Sequence, residues 1–210
     1  MRKMITVKIN GEERQYPQGA TYEDVANDYQ QEYENLIALA ARDGKIRELF
    51  KKLTRDCEVT FFTLKDDVGN KTYVRSATML FLKAVFDVYG REAAQSCRVE
   101  FAIGNGSYIS PKGKINATEE NAAKIRNRMR ELVEAKTPFL KRSYSLDNAM
   151  ELFRKEGMKD KEKLFRYRRG SFVNIYEMDG YYDYYYGYML PNAGYVKWFD
   201  VIAYEDGFML

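Results

Sequence analysis

Residues 4–9, MITVKI, place apolar side chains at the period of a β-strand, and Asn10-Gly11 follows at once. An Asn-Gly pair after such a run is the strongest short-range hairpin signal, because both residues accept the positive φ of a type I′ turn. The chain therefore begins as an antiparallel ladder, with EERQY at 12–16 returning. Thr21 is placed to N-cap a short helix through Val25 and Ala26. NLIALAARDGKIREL predicts a strand, a turn at Asp43-Gly44 and a second strand, and CEVTFFTL from Cys57 completes the set.

Four or five short strands around one helix are the pattern of a small β-grasp sheet, assigned to residues 1–65. KDDVGNK, with Gly69, two acids and two lysines, reads as a linker into a second unit at 66–210. That unit opens with a helix near 72–89, apolar over much of its surface. CRVEFAI and SYIS predict two strands joined at Gly104-Asn105-Gly106. Thr118 opens a helix to about Lys136, and Pro138 stops it. FLKRSY predicts a strand. Ser145 caps the next helix and Gly157 fits its C′ position. A brief helix over 159–166 leads to the strand SFVNIYEM and a tyrosine-rich, β-like end. The fold class is α+β, with one larger antiparallel sheet in the second unit turning Val99, Phe101, Ile103, Val173, Ile175, Val196 and Phe199 toward its helices.

Hydrophobic residues make up 45% of the chain, enough for a core, and no apolar run approaches the length of a membrane span. MRKMITVKINGEE turns polar too soon for a signal peptide. Cys57 and Cys97, far apart and outside any C-x-x-C spacing, read as buried free thiols. Together these place the protein in the cytoplasm, away from membranes. The net charge is +3, but residues 111–170 hold 17 Lys/Arg against 9 Asp/Glu. That excess permits an anionic partner, and equally a solvated helical surface.

There is no histidine. Acid–base work would fall to carboxylates, lysine or tyrosine. Asp183 is the best carboxylate candidate, since aromatic neighbours could desolvate it; the other reading is a buried aspartate satisfied by backbone donors or a tyrosine hydroxyl. GxxxxGK[ST] does not occur; the nearest stretch, Gly104-Asn105-Gly106 with Lys112-Gly113-Lys114, reads as a hairpin turn. Tyr176, Tyr181, Tyr182, Tyr184, Tyr185, Tyr186 and Tyr188 fall within thirteen residues. They either stack bases or ribose, or fill a cavity. The basic run Arg166-Tyr167-Arg168-Arg169 either clamps a phosphate or ends a helix.

Residues 57–80, CEVTFFTLKDDVGNKTYVRSATML, and 183–199, DYYYGYMLPNAGYVKWF, resemble two segments of the threonyl-tRNA synthetase N-terminal region. The front of the chain resembles a TGS domain, the ubiquitin-like module of those synthetases, and residues 66–210 resemble their second additional domain. The family carries an H-x-x-x-H pair and a C-x-x-x-H pair there, forming a metal and editing constellation shared with alanyl-tRNA synthetases. In this sequence the first pair falls on Arg75 and Met79, the second on Tyr185 and Met189. Arginine is always protonated and cannot ligate a metal, and methionine sulfur suits zinc poorly. The resemblance therefore implies an editing scaffold without its metal. Ser76 adjoins the first lost position, with no visible base.

LFLKAVFDVYG, TEENAAKIRNRMRELVEAKTPF, MELFRKEGMKDKEKLFRYR and VNIYEMDGYYDYYYGYMLPNAGYVKWFDVIAYEDGFML also resemble the front of a bacterial uridine (nucleoside) kinase family. That resemblance implies an N-terminal, non-catalytic regulatory or ligand-binding region. ATP, Mg²⁺ and phosphoryl transfer would belong to a kinase domain beyond Leu210, itself a partner of this region. No cofactor is expected within the fragment. The alternative is a divergent aminoacyl-tRNA editing-type hydrolase or tRNA-binding module. Arg75, Tyr182, Asp183, Tyr185 and Met189 are the candidate ligand-binding residues. One fixed cation with hydroxyls and aromatic walls suits a nucleotide or an RNA end.

Overall fold

The structure is a computed structural model that describes residues 3–167 and 170–210. The fold is mixed α+β. It forms two compact units: the first runs to Ser76 and takes in Gly187–Pro191, and the second comprises Ala77–Tyr186 with Asn192–Leu210.

In the first unit, β1 (Met4–Ile9) and β2 (Glu12–Pro17) form the expected hairpin, with Asn10 at φ 51° and Gly11 at φ 88°. The helix α1 (Tyr22–Tyr29) starts from a full capping box. The Thr21 hydroxyl accepts from the Asp24 amide, and the Asp24 carboxylate accepts from the Thr21 amide at 2.7 Å. β3 (Ile37–Arg42), β4 (Lys45–Glu48) and β5 (Cys57–Thr63) complete a five-stranded mixed sheet in the order β2-β1-β5-β3-β4, with β1 and β5 parallel. Strict period-2 burial sends Ile5, Val7 and Ile9 inward. Val25 and Ala26 of α1 are buried as well, and α1 packs against β3.

The stretch expected as a linker is helical: α2 runs Asp67–Tyr89. Its start is built from the turn before it. The Asp66 carboxylate accepts from the Thr63 amide at 2.6 Å and from the Thr63 hydroxyl at 3.0 Å, and Asn70 donates its amide to the Asp66 carbonyl at 2.8 Å. Acids at 66 and 67 also complement the positive end of the helix dipole. Farther along, every residue from Ser76 to Val85 is buried.

The second unit continues with α3 (Arg91–Ser96), a helix the sequence reading did not anticipate, then β6 (Arg98–Ile103) and β7 (Gly106–Ser110). α4 (Glu119–Glu134) is capped by Thr118 and buries Ala122, Ile125, Met129 and Leu132, a stripe at three- and four-residue spacing. β8 (Leu140–Ser145), α5 (Leu146–Lys155, capped by Ser145), α6 (Lys159–Arg166), β9 (Phe172–Met178) and β10 (Tyr181–Asp183) follow, and β11 (Ile202–Tyr204) and β12 (Gly207–Met209) close the chain.

The single larger sheet expected here is instead two sheets, β10-β9-β8 and β11-β12-β7-β6. Val173 and Ile175 of β9 point into a core with Ala149, Phe153, Met158 and Phe165, as expected. Val99, Phe101 and Ile103 do not: they are 50%, 53% and 44% exposed. β6 is an edge strand, and a bulge between Val99 and Phe101 shifts its register, so alternation along β6 does not translate into one buried face. Val196 is buried and Phe199 half-buried, but both lie outside the strands.

Candidate functional site

The second unit holds a cavity of about 220 Å³. Four short pieces of chain build it. α2 contributes Thr78 and Leu82; the segment through the end of α3 into β6 contributes Gln95, Cys97 and Arg98; α6 contributes Asp160 and Lys161; β10 and the residues after it contribute Tyr181, Asp183, Tyr184 and Tyr185.

The β9–β10 hairpin positions the last group. Its turn takes φ 44° at Asp179 and 80° at Gly180, after which Tyr181 pairs with Met178 and Asp183 with Tyr176. The turn is held from α2: the Lys83 ammonium, almost wholly buried, donates to the Asp179 carbonyl at 2.7 Å and lies 2.7 Å from the Asp87 carboxylate. Phe86 packs against Tyr181, ring centres 5.7 Å apart.

Asp183 is buried and well supplied. One carboxylate oxygen accepts from the Tyr184 amide at 2.7 Å and lies 3.2 Å from the Lys161 ammonium; the other accepts from the Tyr181 hydroxyl at 3.3 Å. Burial, with the Asp183 charge beside it, pushes the Tyr181 phenol well above its ordinary value. Burial also pushes the Cys97 thiol up to about 12. A second ion pair, Arg98 to Asp160 at 3.9 Å, lies on the cavity wall with both side chains about half exposed.

The Cys97 shift fixes a pH dependence. The folded state keeps a proton that the unfolded chain releases near the ordinary thiol value of 9.0. Its contribution to stability is full below pH 9 and is lost as pH rises through about 12. Chemical unfolding at stepped pH should show stability falling in that window. Substituting Cys97→Ala should remove this component and leave the slope of the tyrosines alone. Iodoacetamide at pH 8 should label half-buried Cys57 well before buried Cys97.

The candidate residues named from sequence distribute as follows. Tyr182 is half-buried, packed on the Phe153–Ile175 core beside the cavity-lining Tyr184; Asp183 and Tyr185 line the cavity; Met79 is fully buried in α2. Arg75 and Met189 belong to the first unit. There the Arg75 guanidinium donates to the Tyr188 carbonyl at 2.6 Å, and a Cβ on Gly187 would meet its carbon at 2.6 Å. Ser76 donates to the Thr72 carbonyl at 2.8 Å and accepts from the Leu190 amide at 3.0 Å, while buried Glu48 accepts from the Met189 amide at 3.3 Å. These contacts fasten the segment 187–190 through its backbone.

That donor set does not fit the metal that the synthetase resemblance implies. A guanidinium bonded to a carbonyl offers no lone pair, and the sulfurs of Met79 and Met189 are buried thioethers. Among the described residues, no three His, Cys, Asp or Glu side chains converge as a metal site requires.

Gly104-Asn105-Gly106 is the β6–β7 turn, and Lys112-Gly113-Lys114 a second turn closed by the Lys114 amide on the Pro111 carbonyl. The basic middle segment is laced with ion pairs: Lys124 with Glu120, Arg126 with Glu119 and Asp200, Arg128 with Asp87 and Glu131. Arg168 and Arg169 of the basic run lie outside the described residues. Among these, no helix is long and apolar enough to cross a membrane.

Lys161, Cys97, Arg98 and Thr78 were not singled out from sequence as site residues. Lys161 sits 22 positions before Asp183, on a helix whose lysines look alike in one dimension. Only its approach to within 3.2 Å of the Asp183 carboxylate distinguishes it.

The chain is a mixed α+β region similar in sequence to the N-terminal region of threonine–tRNA ligases. The chain is similar along 98% of its length to a threonine–tRNA ligase of Thermotoga neapolitana, at 28% identity over 213 residues, and along 95% to that of Carboxydothermus hydrogenoformans, at 25%. The threonine–tRNA ligase of Porphyromonas gingivalis is 25% identical over 194 residues. The chain spans just under a third of the length of these enzymes and corresponds to their N-terminal region. No protein-family model matches it.

These relatives correct the expectation of a regulatory region of a uridine (nucleoside) kinase, and with it the expectation of a kinase domain as partner. The kinase reading leaned on the tyrosine-rich segment after Asp179, where the synthetase cysteine and histidine are replaced. The similarity to these ligases nevertheless runs along nearly the whole chain.

Proposed function

We propose that the chain is a tRNA-binding module of the synthetase editing type, one that holds a tRNA acceptor end without cleaving an ester. The observation that carries this reading is the similarity of nearly the whole chain to the N-terminal region of threonine–tRNA ligases. The cavity chemistry supports binding over hydrolysis. Hydrolysis needs a group ready to take a proton from water or to attack a carbonyl. The Tyr181 phenol and Cys97 thiol are held protonated by burial, and the Asp183 oxygens already accept from three donors. The Ser76 hydroxyl of the first unit is engaged on both sides by backbone groups.

Incubation with mischarged tRNA tests the choice. The ester should decay in the presence of the protein at the rate it decays in buffer, while the tRNA is retained on a filter with the protein. Decay faster than in buffer, abolished by Asp183→Asn, would establish a divergent hydrolase instead.

A further inference from the structure

Three cations of the first unit share one face of the β3–β4 hairpin, and no acid on that face answers them. We propose that this face binds a phosphate group, held by Arg42, Lys45 and Arg47 together with the Thr54 hydroxyl. The inference goes beyond the tRNA reading and does not rest on the cavity.

The register brings the cations together. Arg42 pairs directly with Lys45, and Arg47 pairs with Ala40, two residues before Arg42 on β3. Alternation along the strands therefore turns all three side chains to one side of the sheet. It is the side on which α1 packs: Phe61, opposite Ala40 on β5, meets the Tyr29 ring of α1. Directly opposed residues of an antiparallel pair hold their Cβ atoms about 4.5–5.5 Å apart, and like charges there repel. Beneath them lies Tyr22, the first residue of α1, whose phenol feels both the Arg42 and the Arg47 charge. Burial raises that phenol above its ordinary value, so it stays neutral and supplies no counter-charge.

The nearby acids are committed elsewhere. Asp43, at the hairpin turn, pairs with Arg55 at 2.6 Å and accepts from the Glu58 amide at 3.1 Å. Glu48 is buried on the opposite face, where it accepts from the Met189 amide. Arg42 donates to the Thr54 hydroxyl at 3.1 Å and Arg47 to the Ile46 carbonyl at 3.2 Å. Among the described residues, none of the three cations has a carboxylate within ion-pair distance. Arg42 and Arg47 are half-buried and Lys45 and Thr54 exposed, so the group is open to a ligand and still partly shielded from water. Two guanidinium forks match oxyanion geometry, and the Thr54 hydroxyl, which accepts from Arg42, keeps its own proton to donate. A carboxylate has two oxygens to offer such a group. A phosphate has more oxygens and, as a monoester, more charge, so it can meet several converging donors at once.

Isothermal titration of the 210-residue chain in about 150 mM NaCl tests the site. The probes are inorganic phosphate, a nucleoside 5′-monophosphate, a short single-stranded RNA with hydroxyl ends, and acetate as the carboxylate control. At least one phosphate-bearing probe should bind saturably, and at least about tenfold more tightly than acetate. Arg42→Gln and Arg47→Gln should each weaken that binding about tenfold or more, the loss of a charge-assisted hydrogen bond. Lys71→Gln, which alters a cation of the same unit already paired with Asp67, should leave it unchanged. Binding of the monophosphate but not the RNA supports a site for a phosphorylated metabolite; binding of the RNA supports a backbone contact. The probe should also raise the melting temperature of the unaltered chain with concentration, and that of Arg42→Gln much less. Each protein is compared with itself, so a less stable variant still reports. No heat with any phosphate probe, acetate binding as tightly, or undiminished binding by both variants would overturn the proposal. tRNA retention without these results removes this inference alone, and phosphate binding without retention removes the tRNA reading alone.

Discussion

Gly69→Ala should be among the most damaging single-atom additions to the first unit. Gly69 is buried in the first turn of α2, and a Cβ there would sit 1.9 Å from the Thr63 carbonyl oxygen and 2.8 Å from its carbon. Both are backbone atoms of the turn in which Asp66 binds Thr63, so no side chain can swing aside. Either the turn moves and those hydrogen bonds go, or the helix begins later. Overpacking a core typically costs about 1–3 kcal/mol, and a collision with fixed backbone belongs at or above the top of that range. Urea unfolding should show a loss of about 3 kcal/mol or more, and a control at open Gly19, where an added Cβ meets nothing within 4 Å but φ is +96°, should cost only the smaller strain of that backbone. A Gly69→Ala protein of unchanged midpoint would mean that α2 does not start as described.

The second large effect is expected at Lys83. Its ammonium is almost wholly buried and joins α2 to the β9–β10 turn through Asp87 and the Asp179 carbonyl. Removing one member of a buried pair costs about 3–5 kcal/mol. Arg128 remains 2.8 Å from Asp87, so Lys83→Met should fall near the low end, about 3 kcal/mol. The consequence extends to the cavity, because the released turn leads straight into Tyr181 and Asp183. Unfolding curves should show the loss, and a double-mutant cycle with Asp87→Asn should show coupling of more than about 0.5 kcal/mol. A change below about 1 kcal/mol would place the ammonium in water, against its burial.

Both effects rest on contacts that single-sequence reading could not supply, and the contrast with what it did supply is physical. The Asn10-Gly11 hairpin, the Thr21 and Ser145 caps and the Gly157 terminator are decided within four residues by backbone chemistry, so they were legible. The start of α2 was not. Its acids, lysines and glycine have the composition of a linker, and they form a helix where the Thr63–Asp66 turn leads into it and Gly69 admits the Thr63 backbone. The exposure of Val99, Phe101 and Ile103 was hidden for a different reason: a bulge and an edge position override alternation. At the site, Asp183 stood out by its aromatic neighbours, and Tyr185 by its place in the synthetase pattern. Cys97 and Arg98 come to the cavity from the α3–β6 junction and Lys161 from α6, and nothing local marks them. The tyrosine-rich segment was read toward a kinase, whereas the similarity along nearly the whole chain is to threonine–tRNA ligases.

Direct titration of tRNA onto the chain bears most closely on the central claim. Fluorescence anisotropy with an end-labelled, deacylated tRNA, repeated with an unstructured RNA of equal length and across about 50–200 mM salt, separates recognition from general attraction to phosphates. Saturable binding is expected that favours the tRNA at every salt concentration and weakens when Tyr184, on the cavity wall, is replaced by alanine. Equal affinity for the two RNAs, vanishing together as salt rises, would contradict the account and leave a synthetase-like fold that does not recognise tRNA.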